Sequence, residues 1–183
     1  MGASPDPATP DPSVPVPDPL RFLPGSWSLD RTIEDHAAGR TGTVDGRARF
    51  VPDGDGLRWI EEGTLRLGGY VGDGAREMRV RPDGATWAVD FDDGRPFHPL
   101  DLRTGSCAVE HPCRADLYRG ELRATGPDEL RVTWRIGGPA KDLTITTVYR
   151  RTASSAADGR DADPADRRLD PGPEPPAADR PGT

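Results

Sequence analysis

The fold of this chain is decided by residues 130–149, which read LRVTWRIGGPAKDLTITTVY. Apolar and polar residues alternate from Leu130 to Ile136, and the alternation resumes from Leu143 to Tyr149. A period of two residues is the pattern of a β-strand with one buried face. The Gly-Gly-Pro run between the two segments supplies turn residues at hairpin spacing. The stretch therefore predicts two antiparallel strands joined by a short hairpin turn.

The same pattern recurs through the central part of the chain. Turn signals such as Pro52-Asp53-Gly54 and Pro82-Asp83-Gly84 separate short alternating segments. No window of helical length carries a 3.6-residue apolar stripe. We predict nine or ten strands, near residues 26–35, 42–51, 57–67, 74–81, 85–92, 97–103, 106–112, 115–124, 129–137 and 142–151.

These strands indicate an all-β protein with a single antiparallel up-and-down β-barrel. Connections are too short for crossover helices, which favours sequential antiparallel pairing. Closure into a barrel removes exposed strand edges, and a β-sandwich is the alternative architecture. A barrel of this size can enclose a small-molecule cavity.

Composition divides the chain into one domain and two tails. Residues 1–20 hold seven prolines and no aromatic residue, and residues 152–183 are rich in Ala, Asp, Pro and Arg. Neither stretch can bury enough apolar surface to offset its conformational entropy. We therefore expect a disordered Pro-rich tail over 1–20, the barrel over 21–151, and a disordered acidic Pro/Ala-rich tail over 152–183.

Charge and targeting signals restrict the partners. Each tail contributes three net negative charges to the total of −7, so the domain is close to neutral. A neutral domain with acidic tails argues against nucleic acid and anionic membranes as partners. The N-terminus has no basic and apolar leader pattern, and two cysteines do not make a disulfide framework. We expect a cytoplasmic protein, and the sequence does not indicate its oligomeric state.

Strand parity identifies polar residues on the apolar face. Arg31 shares the face of Trp27 and Leu29, and Glu61 shares that of Trp59 and Leu65. A charge on the apolar face is costly unless it is paired or lines a wet cavity. Arg31 and Glu61 are therefore expected either to pair with each other or to frame a ligand site.

A second group of polar residues lies between residues 93 and 118. A turn near 104–105 makes the segments of His98 and His111 antiparallel neighbours, so their rings are expected close together. Nucleophilic catalysis by Cys113 and acid–base catalysis by either histidine with Tyr118 both remain open. Histidine, cysteine and Asp116 are metal-ligand types, but their spacing matches no zinc pattern, so we expect neither a metal nor a cofactor.

Lys141 stands out because it is the single lysine among 24 basic residues. It follows the Gly137-Gly138-Pro139 turn, which lacks the ending of a phosphate-binding loop. At the barrel mouth its ammonium could bind an anionic ligand. The alternative is an ordinary solvated charge on a hairpin.

Several motifs together resemble a known pattern. Leu23-Pro24-Gly25-Ser26-Trp27, taken with a closing Tyr149-Arg150-Arg151, resembles the calycin pattern of lipocalins, in which an early Gly-x-Trp packs against an Arg of the last strand. With the motifs DGRPFH (93–98), HxCxxDxY (111–118) and GPxKD (138–142), residues 21–151 resemble an uncharacterised bacterial family of lipocalin-like domains of unknown function.

The resemblance implies a barrel with a polar-lined interior and no established activity. Trp59 stands where that family usually carries Tyr, and Ala140 where it often carries a basic residue. Related haem-binding barrels use a His from a late strand, and no His follows His111, which argues against haem.

Three functions are compatible with this sequence. The first is binding of a small polar or anionic molecule, and the second is a small enzyme that uses His98 or His111 with Tyr118. The third is an interaction module whose interior is filled and whose polar groups pair with one another. The expected lining residues are Arg31, Glu61, Arg95, His98, His111, Asp116, Tyr118, Trp134 and Lys141.

Overall fold

The alternating segments form the ten strands of a single antiparallel sheet in a computed structural model that describes residues 12–153. The sheet curls into a nearly closed barrel, which confirms the predicted all-β fold. The strands are β1 (Gly25–Asp35), β2 (Arg40–Asp53), β3 (Gly56–Leu67), β4 (Tyr70–Asp83), β5 (Thr86–Phe91), β6 (Pro96–Leu100), β7 (Ser106–Cys113), β8 (Asp116–Gly126), β9 (Glu129–Gly137) and β10 (Asp142–Arg151). One short helix, α1 (Pro19–Phe22), precedes them.

The strand order is β6-β5-β4-β3-β2-β1-β10-β9-β8-β7. Strands that follow each other in sequence are paired, and β1 pairs with β10, but no backbone ladder joins β6 to β7 in the described chain. Prolines contribute to this seam, since Pro96 and Pro99 in β6 and Pro112 in β7 have no N–H to donate. Within residues 12–153, backbone ladders therefore join every pair of neighbouring strands except β6 and β7.

Hairpin geometry sets the register, and the β3–β4 turn is the clearest case. Gly68 and Gly69 connect the register partners Leu67 and Tyr70, and both glycines have positive φ, at 56° and 85°. A two-residue turn of this kind matches the twist of the flanking strands and favours glycine at both positions. The turn therefore fixes which residues of β3 and β4 stand side by side inside the barrel.

The N-terminal segment covers one end of the barrel, which we call the closed end. The N–H of Val14 bonds to the carbonyl of Ala124, and that of Val16 bonds to Leu102, each at 2.8 Å. Val16 is buried, and so is Leu23 just after α1. The ordered domain thus begins before residue 21, the boundary expected from composition. The rest of the predicted tails, residues 1–11 and 154–183, lies outside the described residues.

The half of the barrel next to the closed end is filled by aromatic side chains. The rings of Trp27, Phe50, Trp59 and Tyr149 contact one another in sequence, with centroid distances between 5.0 and 6.2 Å. All four residues are almost completely buried. The guanidinium of Arg151 lies 4.3 Å above the Trp27 ring, so the Gly-x-Trp and C-terminal Arg contact implied by the resemblance is present.

The opposite end, the open end, carries an oblique notch. The ladder between β4 and β5 covers only Met78–Phe91 to Asp83–Thr86, so residues 70–77 have a neighbouring strand on the β3 side alone within the described chain. β5 and β6 contain only six and five residues. The barrel wall is therefore lowest over β5 and β6, beside the seam. No helix in residues 12–153 is long and apolar enough to cross a bilayer.

Candidate functional site

A buried carboxylate stands at the centre of the barrel, just above the aromatic filling. Glu61 is 3% exposed, and its Oε2 accepts hydrogen bonds from Arg31 Nη2 at 2.8 Å and Arg76 Nε at 2.9 Å. Its Oε1 accepts from Arg76 Nη2 at 3.0 Å and from the Tyr149 hydroxyl at 2.5 Å. Arg31 also donates to Thr147 Oγ1 at 2.8 Å. We refer to these five residues as the Glu61 cluster.

Electrostatics keep the Glu61 cluster charged. Burial alone would raise the pKa of Glu61, but the guanidiniums of Arg76 and Arg31 outweigh it and lower that pKa to about 2. Burial and the Glu61 charge together raise the pKa of Tyr149, so its hydroxyl stays protonated and donates. The cluster consequently holds two cations and one anion, which leaves a net positive charge inside the barrel.

Arg76 is the member of this cluster that reaches the open half. Its Nε and Nη2 contact Glu61, while Nη1 has no hydrogen-bond partner within residues 12–153. About a third of its side chain, 36%, is exposed, compared with 15% for Arg31. Glu61 thus fixes the Nε–Nη2 edge of the Arg76 guanidinium and leaves Nη1 without a hydrogen-bond partner among residues 12–153. We call the interior of the open half, above this cluster, the lumen.

The sequence analysis expected Arg31 and Glu61 to meet, and they do, but it missed Arg76. The signal was present, because Arg76 shares the parity of Met78 and Val80 on β4, both buried. Arg76 is also the register partner of Glu61 across the β3–β4 ladder. A charge on that apolar face was therefore visible by the rule that identified Arg31.

A group of rings closes the β6–β7 seam. Phe97 stacks on Trp134 with centroids 5.2 Å apart and an interplanar angle of 20°. The same ring contacts His98 at 4.7 Å and His111 at 5.0 Å. Phe91 and Tyr118 each contact His111 as well. We refer to these six residues as the aromatic cluster.

Both predicted histidines belong to this cluster, but they are not strand-pair partners. Phe97 lies against both rings, and His111 Nδ1 bonds to the Phe97 carbonyl at 3.0 Å. This side-chain bond bridges the seam in place of a backbone ladder. Because β6 and β7 have no ladder in the described chain, His98 has no register partner on β7.

His98 is a buried base with one free nitrogen. It is 5% exposed, and its Nδ1 lies 2.7 Å from the Pro99 carbonyl. A carbonyl only accepts, so Nδ1 carries the proton and Nε2 is left as an acceptor with no partner in the described chain. Burial, together with the charges of Arg76 and His111, lowers the pKa of His98 to about 4. The ring is therefore neutral near pH 7.

Lys141 is paired at the open end. Its ammonium lies 3.0 Å from Asp116 Oδ2 and 3.3 Å from the Tyr118 hydroxyl, and all three side chains belong to the predicted set. The bond to Asp116 is the main cause that raises the pKa of Lys141. Lys141 is thus held by one carboxylate and one phenol hydroxyl and is not a free cation at the mouth.

Arg95 lies apart from the lumen. It was expected among the inward residues, but its side chain is 69% exposed and pairs with Asp93 at 2.7 Å on the β5–β6 turn. The tight turn at 92–95 and a register shift at Val89/Asp90 break the parity on which that expectation rested.

The two cysteines give no support to a nucleophile or a metal site. No hydrogen bond joins Cys113 to His98 or His111 in the described chain, and both cysteines are free thiols. Burial raises the pKa of Cys107, which makes that thiol less reactive. Within residues 12–153, no group of three His, Cys, Asp or Glu side chains is placed to hold a metal ion.

Above the Glu61 cluster the inner wall is apolar and only partly buried. Val44, Leu143 and Ile145 point inward and are only half-buried. Below the cluster, Trp59 Nε1 is buried without a hydrogen-bond partner. The lumen thus combines a charged floor, half-exposed aliphatic walls and the aromatic cluster on one side.

One protein family and two solved structures are similar to this chain. Residues 23–151 match a family of unknown function, DUF6314. No curated protein is significantly similar in sequence. The fold is similar to that of an S-type phycobiliprotein lyase from Guillardia theta, with a TM-score of 0.54 and 10% identity over 74% of this chain and 92% of the lyase.

A second similar fold is that of a protein of unknown function from the DUF3598 family of Nostoc punctiforme. The TM-score is 0.54 and the identity 13%, over 79% of this chain. This chain spans about half, 53%, of that longer protein. At these identities both similarities support the barrel fold alone.

Proposed function

The chain belongs to the DUF6314 family of unknown function, and we propose that its barrel binds a small anionic molecule in the open half of the lumen. The observation that carries this proposal is Nη1 of Arg76, which has no hydrogen-bond partner in the described chain and belongs to a side chain that is 36% exposed. A guanidinium edge matches a carboxylate in a bidentate arrangement.

The net positive charge of the Glu61 cluster also favours an anionic ligand. Two guanidiniums and one carboxylate leave one positive charge in a site surrounded by protein. A charge in such surroundings gains more from a nearby counter-charge than it would in water. One negative charge on the ligand neutralises the lumen.

Arg76 replaces Arg95 and Lys141 as the anion-binding residue. Those two cations are already paired with Asp93 and Asp116. Arg31, which is less exposed, acts as a positioning residue, because it holds Glu61 in the orientation that fixes Arg76.

The first test is native mass spectrometry of the freshly purified full chain, before and after denaturation. We expect an organic anion that is retained by the unaltered protein and lost in Arg76→Gln. Arg79→Gln is the matched control, since Arg79 lies on the outer face of the same strand with 54% of its side chain exposed.

Retention by Arg79→Gln but not by Arg76→Gln supports the proposal. If no mass is retained, calorimetric titration with simple carboxylates makes the same comparison between variants. Equal affinity of Arg76→Gln and the unaltered protein for every anion tested overturns the proposal.

A second candidate function is acid–base catalysis in the same lumen. The observation that favours it is His98, a neutral imidazole whose Nε2 is free to accept a proton. The test is a pH–rate profile on any substrate found. Activity that falls as pH drops toward 4 and vanishes in His98→Gln supports catalysis, whereas activity retained in that variant excludes His98 as the base.

A further inference from the structure

The notch is bordered by a row of unpaired backbone groups on β4. The two-residue turn before this strand makes Tyr70 a hydrogen-bonded partner of Leu67. Because bonding alternates along an antiparallel ladder, only every second residue of β4 then bonds to β3. Val71, Asp73 and Ala75 therefore direct their N–H and C=O groups away from β3, to a side where the described chain has no strand. We call these three residues the β4 edge.

The β4 edge is exposed and has little protection against pairing. Tyr70 and Val71 are 61% and 63% exposed, and Asp73 and Ala75 are exposed as well. Proteins commonly protect a free strand edge with proline, lysine or a bulge. Residues 70–77 contain neither proline nor lysine, and their ladder with β3 has no register shift. The free backbone groups are thus available to an added strand.

One acidic and one basic group beside the β4 edge are not fully paired. Asp73 points outward and accepts a hydrogen bond from Thr64, but no cation pairs with it in the described chain. Arg76 points inward, and its Nη1 has no hydrogen-bond partner there. An antiparallel strand added to β4 places one side chain opposite each of these two residues. Because positions 73 and 76 are three residues apart, those two side chains lie on opposite faces of the added strand.

A second copy of the same edge does not supply these partners. The free backbone groups belong to odd-numbered residues, so antiparallel pairing of two copies sets odd positions opposite odd ones and even opposite even. No odd position from 71 to 77 is basic, and no even position from 70 to 76 is acidic. Neither Asp73 nor Arg76 therefore gains a counter-charge from another copy. The edge favours a partner of different sequence.

We propose that the β4 edge binds an extended peptide segment of another protein as an added antiparallel strand. The segment carries an acidic residue opposite Arg76 and, three positions later, a basic residue opposite Asp73. Two positions further it carries an apolar residue, which covers the exposed side chain of Val71. This inference goes beyond the anion site proposed above and shares only Arg76 with it.

The test is an NMR titration of the full chain with an N-acetylated, C-amidated peptide of sequence Glu-Thr-Thr-Lys-Thr-Val-Thr. In the proposed register its glutamate lies opposite Arg76 and its lysine opposite Asp73. We expect saturable shifts of the β4 edge amides and slower hydrogen exchange at their N–H groups. The peptide with glutamate and lysine exchanged is the charge control. We expect it to bind about fivefold to tenfold more weakly, because both charge contacts become repulsive.

Methylation of single peptide nitrogens tests the backbone pairing. The N–H of the first threonine faces the carbonyl of Ala75. Its methylation removes one hydrogen bond and sets a methyl group against β4, so the affinity should fall about tenfold or more. The N–H of the second threonine points away from β4. Methylation there is the matched control and should leave the affinity within about twofold.

Two variants make the same comparison on the protein. Ala75→Pro removes an N–H that the fold does not use, a change that a free edge tolerates, and we expect it to abolish peptide binding. Ala75→Val keeps the N–H and should bind the peptide within about twofold of the unaltered protein. Thermal unfolding verifies that each variant folds. Should Ala75→Pro fail to fold, the two methylated peptides still decide.

The outcomes separate this inference from the anion site. Binding that is lost with Ala75→Pro and with methylation of the first threonine, but not with the two controls, supports the added strand. The inference is wrong if the peptide does not bind at millimolar concentration or if the exchanged peptide binds as tightly. It is also wrong if the β4 edge amides are already protected in the free protein, because this chain or a second copy then occupies the edge.

Small carboxylates provide the remaining distinction. If they bind in a manner that depends on Arg76 while the peptide does not bind, the anion site stands and the added strand is wrong. If the peptide binds in the proposed register while no small carboxylate binds, the added strand stands and the anion site is wrong.

Discussion

The hydroxyl of Tyr149 donates a 2.5 Å hydrogen bond to Oε1 of Glu61, joining residues 88 positions apart in sequence. Tyr149 is fully buried and packs its ring on Trp59. The bond therefore connects the apolar filling of the closed half to the charged floor of the lumen. Loss of the Glu61 charge should consequently affect stability as well as any ligand binding.

We expect Glu61→Gln to lower the free energy of unfolding at neutral pH by about 3–5 kcal/mol, because Arg31 and Arg76 lose their counter-charge in a buried setting. Urea titration measures the change. Glu62→Gln is the control, since Glu62 forms an exposed pair with Arg47 and its loss should cost less than about 1 kcal/mol. Equal costs at the two positions would contradict the burial argument.

Protonation of Glu61 should destabilise the folded protein within a defined pH range. Its pKa is lowered from 4.5 to about 2 in the folded protein. The stabilisation is present above about pH 4.5 and is lost as pH falls through 2, and it amounts to roughly 3 kcal/mol. Stability curves between pH 2 and 5 should be flatter for Glu61→Gln than for the unaltered protein.

Because of His98, stability should also depend on pH in a second, higher pH range. Its pKa is lowered from 6.5 to about 4, so between these values the unfolded chain binds a proton that the folded protein does not. Stability should therefore fall as pH drops from 6.5 to 4, by roughly 3 kcal/mol. His98→Gln removes this dependence. A titration of the His98 ring by NMR with a midpoint near 6.5 would refute it.

Two buried tryptophans should respond differently to replacement by phenylalanine. Trp27 Nε1 donates to the Leu23 carbonyl at 2.9 Å, whereas Trp59 Nε1 has no partner in the described chain. Both rings are nearly fully buried. We expect Trp27→Phe to cost about 1–3 kcal/mol more than Trp59→Phe, because it also leaves a buried carbonyl unsatisfied. Chemical denaturation of the two variants provides the comparison.

The N-terminal segment offers a matched pair of valines. Val16 is 4% exposed and Val14 is 40% exposed, although both donate backbone hydrogen bonds to the barrel. We expect Val16→Ala to lower the free energy of unfolding by about 1.5 kcal/mol, from the loss of two buried carbon groups. Val14→Ala should change it by less than about 0.5 kcal/mol. If the two substitutions lower the free energy of unfolding equally, burial of the Val16 side chain adds no stability. The backbone hydrogen bonds alone would then hold the segment.

Strand positions were predictable because turns and alternation agree along this chain. The Pro-Asp-Gly and Gly-Gly-Pro signals fall at the ends of alternating segments, and each predicted strand lies within a few residues of an observed one. The inward placement of Arg31 and Glu61 followed from the same parity. Arg95 did not follow it, since the short turn before β6 and the adjacent register shift interrupt the period of two.

Other features of the structure have no signal in the local sequence pattern. Val16 is a single buried side chain within a Pro-rich segment, and no periodicity marks it. The absence of a β6–β7 ladder depends on how the whole sheet curls, which the hairpin pattern does not encode. The free nitrogen of His98 depends on a bond to the carbonyl of the next residue. Such features require the three-dimensional arrangement.

The β6–β7 seam also has a consequence for how the chain folds. Eight of the nine ladders among residues 12–153 are hairpins of consecutive strands, and the ninth, of β1 with β10, pairs Trp27 with Arg151 and joins distant parts of the chain. Hairpins of neighbouring strands form within microseconds, whereas joining distant segments carries the loop-closure entropy of the intervening chain. We therefore expect docking of β1 on β10 to be the slow step of folding. A circular permutant that joins the present termini and opens the chain at residues 101–105 would make β1 and β10 consecutive strands and should fold faster.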